Sequence, residues 1–196
     1  MKTFIIKMKY FMQYQSIDKL LLSACFFFAS FLCYSQNYPL KFGIKAGWNY
    51  SNVNAIDEIG ERSGYLSNGG ELFGGIALEK QISKKTYIQT SFLVSYTDRV
   101  TFLELPLYYK YNFYKKFSLL AGPKLNYIPD DEISQPYDFK RRVGISGDLG
   151  IDYKISNHFI IEGTVSKGFT KQYDDLILTY YDAKRNVYRL GVAYYF

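Results

Sequence analysis

Seven ionisable residues lie near the middle of segments in which polar and apolar residues alternate. They are Glu104, Lys110, Lys124, Asp148, Asp152, Glu162 and Arg189. Carboxylates and cations in comparable numbers can pair with one another across a narrow interior, whereas a buried charge without a partner is costly. The set therefore predicts an interior polar network of salt bridges. The alternative is that Glu104 and Lys110 belong to a gate or a ligand site.

Residues for catalysis are sparse. A deacylase-like or protease-like site needs a histidine oriented by a carboxylate and often a serine. The single histidine, His158, adjoins a predicted short turn, and we interpret it as interfacial. No phosphate-binding glycine loop, zinc spacing or EF-hand pattern is present. The acidic runs 130–132 and 174–175 could bind Ca²⁺ weakly, but solvated loop charges are the simpler interpretation. We predict a protein that is not an enzyme and has no cofactor and no metal.

The net charge of +6 says little about a nucleic-acid partner. Residues 1–36 carry four lysines and one aspartate, so the rest of the chain has a net charge of +3. We therefore predict no nucleic-acid binding. Both cysteines, Cys25 and Cys33, also lie in this leader.

The leader, residues 1–36, has the order of a signal peptide. Basic residues precede an apolar run, 20–32, that is short for a transmembrane helix, and Ser35 and Gln36 mark the cleavage region. Translation could also start at Met8 or Met12. In the alternative interpretation, residues 22–25 form a lipoprotein box and Cys25 is lipidated, but most of the apolar run follows that cysteine.

The remainder, residues 37–196, contains eight segments with the period-two alternation of β-strands. We predict strands at 41–51, 71–82, 86–97, 100–113, 117–128, 143–155, 158–170 and 186–196. Short turns at 83–85, 114–116 and 156–157 alternate with long loops at 52–70, 129–142 and 171–185 and with a tight loop near Asp98. Pro106, which has no N–H to donate, predicts a bulge or bend within its strand.

This pattern predicts an all-β fold, an eight-stranded antiparallel up-and-down transmembrane β-barrel, because short turns at one end and longer loops at the other are typical of such barrels. A soluble lipocalin-like barrel is the alternative. Charges on the inner face favour the membrane form, and so do aromatic residues near strand ends, which would form a girdle: Trp48, Tyr50, Tyr96, Tyr111, Phe113, Tyr127, Tyr153, Phe169, Tyr194 and Phe196. We therefore predict location in the outer membrane, in contact with its lipid.

Two segments resemble a known family. Residues 103–111, Leu-Glu-Leu-Pro-Leu-Tyr-Tyr-Lys-Tyr, and residues 43–51, Gly-Ile-Lys-Ala-Gly-Trp-Asn-Tyr-Ser, resemble strands of the PorT-like outer membrane beta-barrel protein family of Bacteroidetes. Ser35 and Gln36 resemble the cleavage site common in the same secretomes. The resemblance implies an eight-stranded outer membrane barrel. It implies no single activity, although one branch of the family is tied to assembly of type IX secretion.

Three functions remain open at this point. The first is a small non-catalytic barrel with a plugged polar interior and external loops, in a structural or surface-interaction role. The second is a PorT-type accessory of type IX protein secretion. The third is a barrel enzyme or a narrow transporter, although an eight-stranded barrel is too narrow for a general porin. Protein partners would bind the external loops, with Tyr65 and Leu66 in loop 52–70 as candidates, or belong to the secretion machinery.

Overall fold

Eight long strands close into a barrel in the computed structural model, which describes residues 38–52, 55–56, 62–63, 71–96, 100–129, 139–172 and 184–196. The predicted signal peptide with Ser35 and Gln36, Tyr65 and Leu66, and the acidic runs 130–132 and 174–175 lie outside the described residues. The described part contains no helix long and apolar enough to cross a membrane.

The strands are β1 (Leu40–Asn52), β2 (Ala55–Ile56), β3 (Arg62–Ser63), β4 (Glu71–Gln81), β5 (Thr86–Tyr96), β6 (Thr101–Tyr114), β7 (Phe117–Tyr127), β8 (Val143–Lys154), β9 (Phe159–Gly168) and β10 (Asn186–Tyr195). The barrel order is β1-β10-β9-β8-β7-β6-β5-β4, which is antiparallel throughout. The predicted fold is thus confirmed, and every barrel strand ends within two residues of its predicted end. The predicted loop 52–70 differs in one respect, since β2 and β3 pair within it.

Pairing of the first and last strands closes the sheet. Gly43 lies opposite Tyr195 and Asn52 lies opposite Asn186, in continuous register between them. The Phe196 amide then donates to the Phe42 carbonyl at 2.9 Å. Closure leaves the barrel formed by the eight described strands without an edge strand, which is the condition for a sheet to cross a bilayer.

The connections define two ends of the barrel. The tight connections at 82–85, 115–116 and 155–158, together with the start of β1 and the end of β10, lie at what we call the turn end. The opposite ends of the strands lie at what we call the loop end, which includes the end of β1, the start of β4, the end of β5, the start of β6, the end of β7, the start of β8, the end of β9 and the start of β10. Lys115 adopts a positive φ of 40°, and the β6–β7 register shifts between Asn112 and Tyr114 as the chain enters this turn.

Of the bulge or bend predicted at Pro106, the bulge is wrong. The β5–β6 register is the same on both sides of Pro106, since Thr90 pairs with Leu107 and Leu93 with Glu104. Without an N–H, Pro106 cannot complete the pairing opposite Ser91, but its carbonyl accepts a hydrogen bond from Thr90 Oγ1 at 2.8 Å. The Thr90 hydroxyl satisfies the Pro106 carbonyl but does not replace the missing N–H, and the register continues without an extra residue.

The two faces of the sheet are opposite in character to those of a soluble protein. Apolar side chains point outward and remain exposed, as in Leu72 (68 %), Ile76 (62 %) and Leu190 (59 %). The inward positions hold charged and polar side chains that are almost fully buried. Soluble proteins bury charged side chains only rarely and expose apolar ones mostly in small patches, so this outer wall requires an apolar surrounding.

Candidate functional site: the polar interior

Glu104 is the centre of a cluster that we call the loop-side layer, formed by Glu71, Glu104, Lys124, Asp148, Arg185 and Arg189. Oε2 of Glu104 is 2.5 Å from Arg189 Nη2, and Oε1 is 2.7 Å from Arg185 Nη1. Arg185 also reaches Glu71 Oε2 at 2.7 Å through Nη2. Lys124 Nζ lies 3.6 Å from Glu104 and 3.4 Å from Asp148. Three carboxylates thus face three cations in this layer.

Neutral side chains fix the geometry of the loop-side layer. Arg189 Nε donates to Asn49 Oδ1 at 2.8 Å, and Ser95 Oγ donates to Glu104 at 3.1 Å. The Tyr108 hydroxyl donates to Asp148 Oδ2 at 2.6 Å. Such charge-assisted hydrogen bonds satisfy lone pairs and protons that the ion pairs alone would leave unmatched.

A second cluster, the turn-side layer, is formed by Lys45, Glu79, Lys110, Asp152 and Glu162. Lys110 Nζ bridges two carboxylates, Glu79 at 2.7 Å and Asp152 at 2.5 Å. Lys45 Nζ lies 2.5 Å from Glu162 Oε2, which also accepts from Gln89 Nε2 at 3.0 Å. All five charged side chains are buried.

A polar cavity of about 90 Å³ lies between these side chains and the turn end, lined by residues that include Lys41, Glu79, Lys110, Asp152 and Tyr195. A water occupies about 30 Å³ in the liquid, so this volume has room for a few waters. Large aromatic side chains fill further interior space, with Arg185 Cζ 3.8 Å from the Phe102 ring centroid and Arg189 Cζ 4.4 Å from that of Phe73.

The seven residues singled out in the sequence are all buried in the barrel, and each makes an ion pair: Glu104, Lys110, Lys124, Asp148, Asp152, Glu162 and Arg189. Sequence reasoning missed four charged partners. Lys45, Glu71 and Glu79 fall on the inner face by alternation but were not assigned to the network. Arg185 precedes β10 and lies in the predicted loop 171–185, although it is an even number of positions from Arg189 and therefore faces the same side of the strand.

The predicted girdle residues divide between the two ends of the outer wall. Trp48, Tyr50, Tyr96, Tyr127 and Phe169 lie toward the loop end, and Tyr111, Phe113, Tyr153, Tyr194 and Phe196 toward the turn end. Some rings are in contact, with Tyr194 and Phe196 centroids 5.4 Å apart and those of Trp48 and Tyr50 6.4 Å apart. Aromatic side chains at these two levels suit the two interfaces of a bilayer.

His158 is engaged in structural contacts at the turn end. Its Nδ1 lies 2.7 Å from the Tyr195 carbonyl oxygen, and its ring stacks on Tyr194 with centroids 5.7 Å apart. Among the described residues no group of three or more His, Cys, Asp or Glu side chains is arranged to hold a metal ion.

A closed antiparallel sheet with an apolar outer wall and a buried ionic interior defines the class of this protein, an eight-stranded outer membrane β-barrel. No protein-family model matches the sequence, and neither does any curated protein.

Several solved outer membrane barrels are similar in fold. Neisserial surface protein A has a TM-score of 0.49 at 9 % identity, over 80 % of this chain and 97 % of that one. Ail of Yersinia pestis in a nanodisc has a TM-score of 0.48 at 13 % identity, over 81 % of this chain and 100 % of that one. The N-terminal barrel domain of OprF from Pseudomonas aeruginosa has a TM-score of 0.47 at 14 % identity, over 82 % of this chain and 100 % of that one.

Proposed function

We propose that this protein is a small, non-catalytic outer membrane barrel whose interior is closed by ion pairs and which acts through its exposed ends, in a structural or surface-interaction role. The observation that carries the proposal is the burial of Glu104, which is 0 % exposed and contacts cations on β7, on β10 and just before β10. A side chain held from several directions in the middle of the lumen obstructs it.

Opening the network would require separating ion pairs, which is energetically costly. Separating Glu104 from Arg189 would leave two charges without partners in a buried position, and breaking such a buried pair costs about 3–5 kcal/mol. Solute passage would require this cost at both the loop-side and the turn-side layer. The interior therefore supports a plug better than it supports a transport path.

Planar-bilayer recording tests the plug. We expect no stable channel openings from the wild-type protein, because the interior of an eight-stranded barrel is filled by side chains. The double variant Glu104→Ala/Arg189→Ala removes one cation and one anion, so it enlarges the lumen without changing its net charge. We expect this variant to conduct. Steady conductance from the wild type would refute the closed interior and favour the narrow transporter.

A second candidate function is that of an accessory of type IX protein secretion. It is supported by the resemblance of residues 103–111 to the PorT-like family. The two charged residues of that motif, Glu104 and Lys110, are the hubs of the two polar layers. Deletion of the gene and measurement of type IX cargo in the medium tests this role. Loss of cargo, restored by the wild-type gene, would favour it, and unchanged secretion would exclude it.

A further inference from the structure

Among the described residues, the turn end presents exposed lysines and no exposed carboxylate side chain. Lys84 and Lys85 lie on the β4–β5 connection, and Lys115 lies on the β6–β7 connection. Lys116 differs from them, because its Nζ lies 5.9 Å from the Tyr153 ring centroid and so points toward the outer wall. Every Asp and Glu side chain of the described residues is buried in the barrel. The described side chains therefore give the surface of the turn end a positive charge.

Two half-buried lysines flank the mouth of the lumen at this end. Lys41 on β1 and Lys154 on β8 fall on the inner face by the alternation of their strands. β9 and β10 lie between these two strands in the barrel order, so the lysines approach the mouth from different sides. Both line the polar cavity of about 90 Å³, and so does Lys115. The three side chains therefore border the lumen and not the lipid around the outer wall.

The charged residues that line this cavity favour an anion over a cation. They comprise four lysines and two carboxylates, namely Lys41, Lys110, Lys115, Lys154, Glu79 and Asp152. The two carboxylates already lie 2.7 Å and 2.5 Å from Lys110 Nζ, so they are paired on the cavity floor. Asn112 and Asn157, which are more exposed, add amide donors nearer the mouth. An anionic group can therefore bind at the mouth without separating an ion pair of the turn-side layer.

The positive charge extends further than one small anion can reach. We use the name lysine collar for Lys41, Lys84, Lys85, Lys115 and Lys154, which belong to β1, β8 and the β4–β5 and β6–β7 connections. Neighbouring strands lie about 4.8 Å apart, so these two connections are roughly 10 Å from each other. An extended polypeptide presents a side chain about every 3.4 Å, so an acidic run can place several carboxylates over such a distance.

We propose that the lysine collar docks an acidic segment of a protein partner, with one carboxylate of that segment seated at the lumen mouth between Lys41, Lys115 and Lys154. The cavity has room for a few waters, so it admits the tip of one acidic side chain while the rest of the segment lies across the turn end. Lipid phosphates are a poorer match, because the mouth lysines border the lumen. The inference names the partner for the surface-interaction role proposed above and rests on that role.

Fluorescence anisotropy tests the docking surface, with fluorescein-labelled octaglutamate as the probe and the folded full-length barrel in neutral detergent. The double variant Lys41→Gln/Lys154→Gln removes the charge at the mouth. The matched control, Lys167→Gln/Lys171→Gln, makes the same change of net charge with two exposed lysines toward the loop end. Heat-modifiable gel migration verifies that each variant is folded.

We expect the wild type to bind octaglutamate and the mouth variant to bind it about tenfold more weakly, the effect of two partly exposed ion pairs. The loop-end variant should bind as the wild type does. An equal loss in both variants would show attraction to net charge alone and would overturn the docking surface. Displacement of octaglutamate by free glutamate at the same total carboxylate concentration would also overturn it, since a small-anion site would then be sufficient.

Two further measurements test the choice of partner. Octaglutamate binding that disappears in nanodiscs of phosphatidylglycerol would show that lipid covers the collar and would refute the proposal. Purified peptidoglycan that binds more tightly than octaglutamate, and loses this binding in the mouth variant, would replace the protein partner with the cell wall. A wild type that binds no octaglutamate but remains silent in planar bilayers would refute the docking surface and leave the plugged barrel intact, whereas steady conductance would refute the plug.

Discussion

Arg189 Nη2 lies 2.5 Å from Glu104 Oε2, and neither side chain is more than 3 % exposed. The two residues are 85 positions apart in the sequence, on β6 and β10, which are not neighbours in the barrel order. The contact therefore crosses the lumen. Since Glu104 also meets Arg185 and Lys124, its one negative charge compensates parts of three positive ones.

Glu104→Gln should strongly destabilise the barrel. Glutamine keeps the shape of the side chain but removes the charge, so three buried cations lose their shared partner and an amide N–H₂ faces guanidinium donors. We expect the free energy of unfolding to fall by about 3–5 kcal/mol, measured by urea titration in lipid vesicles. Lys84→Gln in an exposed turn is the control and should change it by less than about 0.5 kcal/mol. A loss below 1 kcal/mol for Glu104→Gln would contradict a structural role for this hub.

Adjacent glycines in β4 should respond very differently to alanine. A Cβ on Gly75 would collide with the Phe92 carbonyl oxygen and lie 2.9 Å from Leu93 Cα, and backbone atoms cannot move aside cheaply. A Cβ on Gly74 meets only the Lys45 carbonyl oxygen at 3.7 Å, an ordinary contact. We expect Gly75→Ala to reduce the folded fraction on heat-modifiable gels and to cost about 3 kcal/mol, while Gly74→Ala stays within about 0.5 kcal/mol of wild type. Similar stabilities for the two variants would show that β4 and β5 are not this closely paired.

Alternation along the chain was sufficient to predict the strands, whereas the mid-strand charges and the strand-end aromatic residues were needed to predict which face points outward. Each barrel strand repeats with period two for ten residues or more, and the alternating turn and loop lengths determine the antiparallel order. Glu104 and Arg189 could be placed in the interior because each lies among outward apolar neighbours. Extending the alternation by two positions before Val187 would have included Arg185, because Arg185, Val187 and Arg189 are spaced by two residues and face the same side.

Specific partners could not be predicted from the same pattern. Lys45 and Glu162 are 117 residues apart, and their 2.5 Å contact depends on the stagger with which eight strands close. The period of two residues predicts which face of the strand a residue occupies. It does not predict the position of that residue along the barrel axis relative to a strand across the lumen. The unshifted β5–β6 register at Pro106 is likewise a property of the paired strands, which alternation within one strand does not reveal. The short pairing of β2 with β3 involves too few residues for a periodicity to be visible.

Trp48 is a natural probe of the outer wall, because it is the only tryptophan of the chain and is 46 % exposed near the loop end. In vesicles we expect blue-shifted emission that brominated lipids quench strongly and aqueous acrylamide quenches weakly. The urea-unfolded protein supplies the control, with red-shifted emission and strong acrylamide quenching. Equal acrylamide quenching of folded and unfolded protein would place Trp48 in water and contradict the lipid-facing wall.

Single-cysteine labelling should distinguish the two ends of the barrel in cells. Residues 37–196 contain no cysteine, so Lys171→Cys and Lys84→Cys each introduce one thiol in that region, at the loop end and the turn end respectively. Longer external loops and short periplasmic turns are typical of outer membrane barrels. A membrane-impermeant maleimide should therefore label Lys171→Cys in intact cells and Lys84→Cys only after the outer membrane is permeabilised. The reverse pattern would invert the orientation of the barrel.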